Sequence, residues 1–243
     1  DKLYIADVQT FGSNGIVSGF SDPVSCVRVD AERLYVVDKG DATIKVVDLN
    51  KKEIQIHIQT GDGTMPIKVV KNWFRAIIMN GGGQLRSERD SSIISIDYYV
   101  KNEGIVVNNF SGKLDIYYNP NSAVFGMDDL WVLCKGIYDS QNPNDNTESV
   151  IYQVYPYNTL STFFNKTLSG IHNADNLTIN KSKNRLFFTA ENGVYITDLT
   201  IFPILHIANI DASFLSINTE RINDSTTVEY LYTNDANQSG KVL

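Results

Sequence analysis

The chain has three imidazoles, His57, His172 and His206, and they lie far apart in sequence. Histidine chemistry usually declares itself by spacing. H-E-x-x-H puts two rings on one helix face, paired C-x-x-C sets gather a metal, and G-x-S-x-G exposes a nucleophile on a sharp turn. None of these strings occurs here. His57 in IQIHIQT and His206 in PILHIANI sit on strand-like patterns and read as exposed strand residues. His172, in SGIHNADN, precedes a strand-like run and is the one histidine that could face a central channel. NGGGQL at Asn80 is glycine-rich, but no helix follows it. A phosphate cradle needs a helix N-terminus or an equivalent nest, so this segment reads as a loop. NPNDNTE at Asn142 is rich in oxygen ligands but lacks EF-hand spacing and a closing bidentate glutamate. No cofactor is expected; calcium is the one ion these residues allow for.

The elements that must position such residues are short. Runs rich in Val, Ile, Tyr, Phe and Thr recur between Gly, Asn, Asp and Pro, and capped helical periodicity is nearly absent. The 243 residues are 42% hydrophobic and 20% charged, ordinary for a folded chain. The net charge of −7, with scattered lysines and arginines, argues against a nucleic-acid partner. No apolar run approaches the ~18–20 residues of a membrane helix; Asp1 could open a mature form whose signal peptide has been removed, a trimmed chain or a cytoplasmic protein. Two cysteines, Cys26 and Cys134, are too few for a disulfide scaffold. Both lie in strand-like runs and read as buried thiols. Six Asn-x-Ser/Thr sequons begin at Asn109, Asn165, Asn176, Asn180, Asn223 and Asn237.

The strand runs repeat. Core pairs Leu3-Tyr4, Leu34-Tyr35, Trp73-Phe74, Leu130-Trp131, Leu186-Phe187 and Leu231-Tyr232 are spaced 31, 39, 57, 56 and 45 residues apart. The mean, about 46, is that of a propeller blade. An alternating run precedes several pairs (PVSCVRVDAE, SAVFGMDD, NADNLTINKSKN, ASFLSINTER) and reads as an innermost strand. A further run follows (TIKVVDLN, SIISIDYY, VIYQVYPY, GVYITDLT). Asp48, Asp97 and Asp198 close three of these runs. EIQIHIQT supplies a fourth strand. The expected fold is all-β: a single β-propeller domain over 1–243 with four-stranded blades, seven in number, or six. The terminal pieces either share one blade or belong to a longer chain.

The stretch LYVVDKGDATIKVVDLNKKEI resembles the YVTN-type repeat of surface-layer and quinoprotein-like β-propellers. Leu34-Tyr35-Val36-Val37 and Val46-Val47-Asp48 carry the match. LYIADVQTFGSNG at the N-terminus is similar to the opening of a family of secreted or lipid-anchored propellers common in gut Bacteroidetes. That family usually has Asn-Glu-Gly where this chain has Ala6-Asp7-Val8, while Phe11-Gly12-Ser13-Asn14 matches. LYTNDANQSGKVL resembles the family's last blade. The resemblance implies an extracytoplasmic, surface-exposed protein. Some members bind corrinoids or other ligands and serve outer-membrane uptake systems.

In a propeller the loops joining second to third strands gather on one face with those entering the inner strands. That face would carry Asp38, Lys39, Asn80, Gln84, Arg86, Arg89, Tyr138, Asp139, His172, Asn173, Asp175, Glu191, Asn192, Asn234 and Asp235. Arg86 and Arg89 could meet an anionic group and Tyr138 could stack on a flat ring. The expected function is non-enzymatic binding of a small molecule, corrinoid or glycan, or of an outer-membrane uptake component. Two alternatives stand beside it. One is a propeller enzyme, such as a quinoprotein-like dehydrogenase, lyase or lactonase, with a metal held near the axis by His172, Asn173, Asp175 and Asp211. The other is a protein–protein scaffold, which an exposed aromatic patch would favour.

Overall fold

The computed structural model describes residues 1–6, 9–10, 12–60, 65–72, 75–82, 89–101, 104–139, 142–156, 160–180, 182–191, 193–200, 203–209, 212, 214–221 and 227–233. They form an all-β chain that divides into two compact units, Asp1–Asn119 and Pro120–Leu243. In the first unit, β1 (Lys2–Ala6) and β2 (Ser13–Ser18) form a two-stranded sheet. Then β3 (Pro23–Arg28), β4 (Arg33–Asp38), β5 (Thr43–Asp48) and β6 (Glu53–Gln59) form a four-stranded antiparallel sheet in sequence order. A second follows from β7 (Lys68–Lys71), β8 (Arg75–Gly82), β9 (Arg89–Lys101) and β10 (Gly104–Asp115).

The second unit repeats the plan. One four-stranded sheet is β11 (Pro120–Phe125), β12 (Leu130–Cys134), β13 (Val150–Tyr155) and β14 (Ser161–Thr167). The next is β15 (Asp175–Ile179), β16 (Arg185–Ala190), β17 (Gly193–Asp198) and β18 (Ile204–Ala208). A two-stranded sheet, β19 (Leu215–Arg221) and β20 (Thr227–Thr233), comes last. The expectation of six or seven blades thus meets four four-stranded sheets and two two-stranded ones among the described residues.

Burial explains why the central strands do not alternate in polarity. Every residue of β5 is buried, and so are Tyr35 to Asp38 of β4. Tyr35, Val37, Ile44 and Val46 pack on Val69, Ala76, Ile78, Ile94 and Ile96 of the next sheet. On the reverse face Val36 and Val47 pack on Val17 of β2 and on Phe20 in the connection that follows it. A sheet covered on both faces must be apolar on both, and burying each such side chain is worth about 1.5–3 kcal/mol. The edge strand β6 is largely exposed. In the second unit Trp131, Leu133 and Ile151 face Leu177, Leu186 and Phe188 in the same way.

Two polar clips recur between stacked sheets. Ser25 Oγ accepts from Val69 N at 3.4 Å, and Ser122 Oγ accepts from Leu177 N at 3.0 Å. Both serines sit two residues after a strand-opening proline, where the inner strand's register slips against its neighbour. Lys71 Nζ donates to Val29 O at 3.0 Å and Lys183 Nζ to Gly126 O at 2.6 Å. Each ammonium satisfies the carbonyl that ends the preceding sheet's innermost strand.

Several sequence expectations need correcting. Asp48 and Asp198 do end β5 and β17, where their carboxylates accept from the following turn's amides. Asp97 instead lies inside the long β9 and pairs with Arg75 across the ladder. The expected loop from Asn80 to Asp90 is shorter, because β8 runs to Gly82 and β9 begins at Arg89. Cys134 is buried, but Cys26 is exposed, since the two faces of β3 alternate in burial and its side chain falls on the open one. His57 and His206 are exposed on β6 and β18, as their patterns suggest. Trp73 and Phe74 lie outside the described residues.

A buried ion pair fastens the N-terminal sheet to its neighbour. Lys45, 2% exposed, donates to Asp38 Oδ2 at 2.5 Å and Gly19 O at 2.8 Å, and pairs with Asp41 Oδ2 at 2.7 Å. Asp38 also accepts from Ser21 N and Asp22 N. Burial alone would raise the Asp38 pKa; the Lys45 ammonium and the two amides outweigh it and hold the carboxyl below its ordinary value. Burial likewise opposes the Lys45 charge, but the Asp38 and Asp41 carboxylates lift its pKa above the usual lysine value. Removing one partner strands the other's charge, so Lys45→Met should lower stability at pH 7 by about 3 kcal/mol in urea denaturation. A depressed carboxyl stabilises above its unfolded pKa and loses that contribution as pH falls through its folded one. The gap in urea midpoint between wild type and Asp38→Asn should therefore hold from pH 7 to about 4 and shrink below that.

Candidate functional site

Each four-stranded sheet has two ends. One carries the connections from second to third strand, here termed the loop end; the hairpins from first to second strand define the opposite turn end. In the second unit the loop end is built on Ser149, which is fully buried. Its hydroxyl donates to Lys135 O at 2.9 Å and accepts from Ala174 N at 3.0 Å. Its amide donates to Ile171 O, and its carbonyl accepts from Leu168 N, both at 2.8 Å. One residue thus ties the end of β12, the start of β13 and the segment leading into β15.

The connection from Lys135 to Glu148 is held by its own side chains. Ile137 N donates to Thr147 Oγ1 at 2.8 Å, and Thr147 N returns a bond to Ile137 O at 2.9 Å. Asp139 N donates to Asn146 Oδ1, and Asn142 Nδ2 donates to Asp139 Oδ2. The oxygen-rich segment at Asn142 therefore spends two of its amide side chains on loop closure. Gly136 has φ +79°, and a Cβ there would meet Thr147 O at 2.8 Å and Glu148 O at 2.9 Å, so only glycine fits where the loop leaves β12. Glu148 Oε1 accepts from Gly170 N at 2.7 Å and draws the next connection against this loop.

On this frame the functional groups remain accessible. Lys135 Nζ lies 3.7 Å from Asp175 Oδ2, with the side chains 30% and 39% exposed, a loose pair of small net worth. Tyr138 bonds to Glu191, and that carboxylate raises the phenol's pKa. His172 Nδ1 lies 3.1 Å from Thr147 O. A carbonyl only accepts, so Nδ1 carries the proton and Nε2 is the ring's acceptor when neutral. Asn173 adopts φ +57° in the turn between His172 and Asp175. The patch therefore offers an ammonium, two carboxylates, a phenol and an imidazole on one polar surface. Among the described residues, no group of three or more His, Cys, Asp or Glu is arranged to hold a metal ion.

Of the residues singled out from sequence, Tyr138, Asp139, His172, Asn173, Asp175 and Glu191 come together at this loop end. In the first unit, Asp38 is buried in the ion-paired clasp, and the Lys39 amide donates to Asp22 O. Asn80 is fully buried, with Nδ2 donating to Ser92 Oγ at 3.1 Å. Gln84, Arg86, Asn192, Asp211, Asn234 and Asp235 lie outside the described residues, as does the Arg89 side chain. Sequence reasoning did not single out Lys135 and Ser149. Lys135 had a readable signal, being the one cation opening a long polar loop; a lone serine before a strand gives none.

No known protein-family model matches the chain, and no curated protein matches it. Solved structures do. Hydrazine synthase of Kuenenia stuttgartiensis aligns with 96% of this chain at TM-score 0.68 and 14% identity. NirN, a dihydro-heme d1 dehydrogenase solved in complex with DHE, aligns with 96% at TM-score 0.58 and 10% identity. The extracellular domain of BT4673 from B. thetaiotaomicron aligns with 88% at TM-score 0.57 and 13% identity. These are β-propeller-like proteins. The fold is propeller-like. The chain spans 67%, 47% and 26% of those three chains, and identities this low speak for the fold alone. Among the described residues no helix is long and apolar enough to cross a membrane.

Two measurements check the site's geometry. With the Glu191 charge removed, the Tyr138 pKa should fall toward that of an ordinary tyrosine, so Glu191→Gln should lower the Tyr138 midpoint in a ¹³Cζ-tyrosine NMR titration. Gly136→Ala should cost more than about 1 kcal/mol in chemical denaturation, because strain and a backbone clash coincide there.

Proposed function

We propose that the chain is a non-enzymatic, ligand-binding propeller domain over 1–243, with its ligand seated on the rim formed by Lys135, Tyr138, His172, Asp175 and Glu191. The observation that carries this reading is the contrast at Ser149: a fully buried hydrogen-bond hub beneath accessible groups of both charges. A surface fixed before its ligand arrives loses little entropy on binding. The ligand such a rim suits is polar and rich in hydrogen-bonding groups, with one flat face for the Tyr138 ring. A glycan or the polar periphery of a corrinoid has that character. The sequence resemblance to surface propellers supports an extracytoplasmic accessory of nutrient uptake, and one fold neighbour is itself an extracellular domain.

Isothermal titration of the chain against oligosaccharides and corrinoids tests this directly. A saturable heat is expected with one class, weakened at least tenfold, about 1.4 kcal/mol, by Lys135→Ala with Tyr138→Ala. Silence across both panels at micromolar protein would sink the reading.

A further inference from the structure

At the turn end of the second unit, opposite the polar rim, the seam between its two four-stranded sheets gapes. Trp131, Tyr155 and Phe163 from one sheet and Leu199 from the other line a groove of about 330 Å³. Met127, in the turn between β11 and β12, stands at its edge. Met127 is 73% exposed, Tyr155 48% and Phe163 80%. Three large apolar side chains held open to water around one concavity are what a docking surface requires.

The volume sits at the low end for small-molecule pockets, roughly 300–1,000 Å³, and fits one bulky side chain. The rim carries the sign of the partner. Asp128 is exposed, and Asp129 Oδ2 accepts from Gln153 Nε2 at 2.6 Å. The groove's cation, Lys183, donates to Gly126 O at 2.6 Å and keeps its charge, so among the described residues the lining holds two carboxylates against one ammonium on a chain that carries −7 overall. Simple strand addition does not suit the site. The β13–β14 register slips opposite Phe163, between Gln153 and Val154, and such a bulge turns a side chain aside while breaking the regular edge. We propose that this groove binds a peptide segment of a partner protein that presents one apolar side chain flanked by lysine or arginine. The proposal is independent of the ligand reading at the loop end.

The three methionines, Met65, Met79 and Met127, make the test selective, since the other two lie in the first unit. The whole chain carrying ¹³C-methyl methionine is titrated with capped Gly-Lys-Phe-Lys-Gly. The Met127 signal should shift saturably, with affinity on the order of millimolar, while Met65 and Met79 stay still. Exchanging both flanking lysines for glutamate should weaken binding roughly fivefold or more, as expected for two exposed charge pairs. An alanine centre should abolish the shift, and Phe163→Ser, at an exposed position, should weaken it at least fivefold without unfolding the chain. Equal binding of the glutamate peptide, an unaltered titration in Phe163→Ser, or no saturable Met127 shift would each overturn the proposal. A Met127 shift that grows with protein concentration before peptide is added would assign the groove to self-association and overturn it too.

Discussion

Face-to-face burial of one sheet by the next is the constraint on which everything else rests. A four-stranded antiparallel sheet on its own has two faces and only edge strands to spare for water. Here the strands β4 and β5 are closed off on both sides, by Val17 and Phe20 on one and by Ile78 and Ile94 on the other. Their sequence must then be apolar without alternation, and any polar side chain in them needs a partner. Lys45 is the proof: between the buried, apolar Ile44 and Val46 of β5 it survives because Asp38, Asp41 and a backbone carbonyl meet it. The serine and lysine clips do the same service for backbone groups at the seams.

The same stacking divides the second unit's two ends by chemistry. At the loop end, the long connection from Lys135 to Glu148 must satisfy its own amides, so it collects Thr, Asn and Asp, and with Ser149 it makes a hydrogen-bonded floor with charged groups above it. At the turn end, polar side chains such as Asn180 and Lys183 are spent on closing their own hairpin or on a neighbouring carbonyl. Where two sheets diverge there, what is left between them is the apolar flank of Trp131 and Tyr155. A polar rim and an apolar groove are thus two outcomes of one architecture.

Much of the fold was legible because stacking writes itself into repeats. The core pairs Leu34-Tyr35, Leu130-Trp131 and Leu186-Phe187 all open second strands, and the alternating runs before them became β3, β11 and β15. Exposed fourth strands such as β14 and β18 were harder to see, since a strand at the edge needs no fixed hydrophobic pattern. The site was half legible. Loops predict where polar groups gather, and they did gather Tyr138, His172, Asp175 and Glu191. They do not predict which polar groups are consumed internally: Asp38 and Asn80 read as surface ligands but are buried. Sequons behave likewise. Asn165 is exposed on β14, whereas Asn180, 3% exposed, uses its side chain to hold the turn into β16. Composition cannot tell those two asparagines apart; only tertiary context does.

Two-sided burial also sets a timetable for synthesis. When Val46 and Val47 leave the ribosome, the flank made by Tyr35, Val37 and Ile44 has nothing to lie against until Ile78, Ile94 and Ile96 have followed. At ordinary translation speeds those roughly fifty residues take about 3–10 seconds. For that interval each newly made sheet is a sticky half-sandwich, and a nascent chain of this design must be sheltered or slow to aggregate while it waits for its cover.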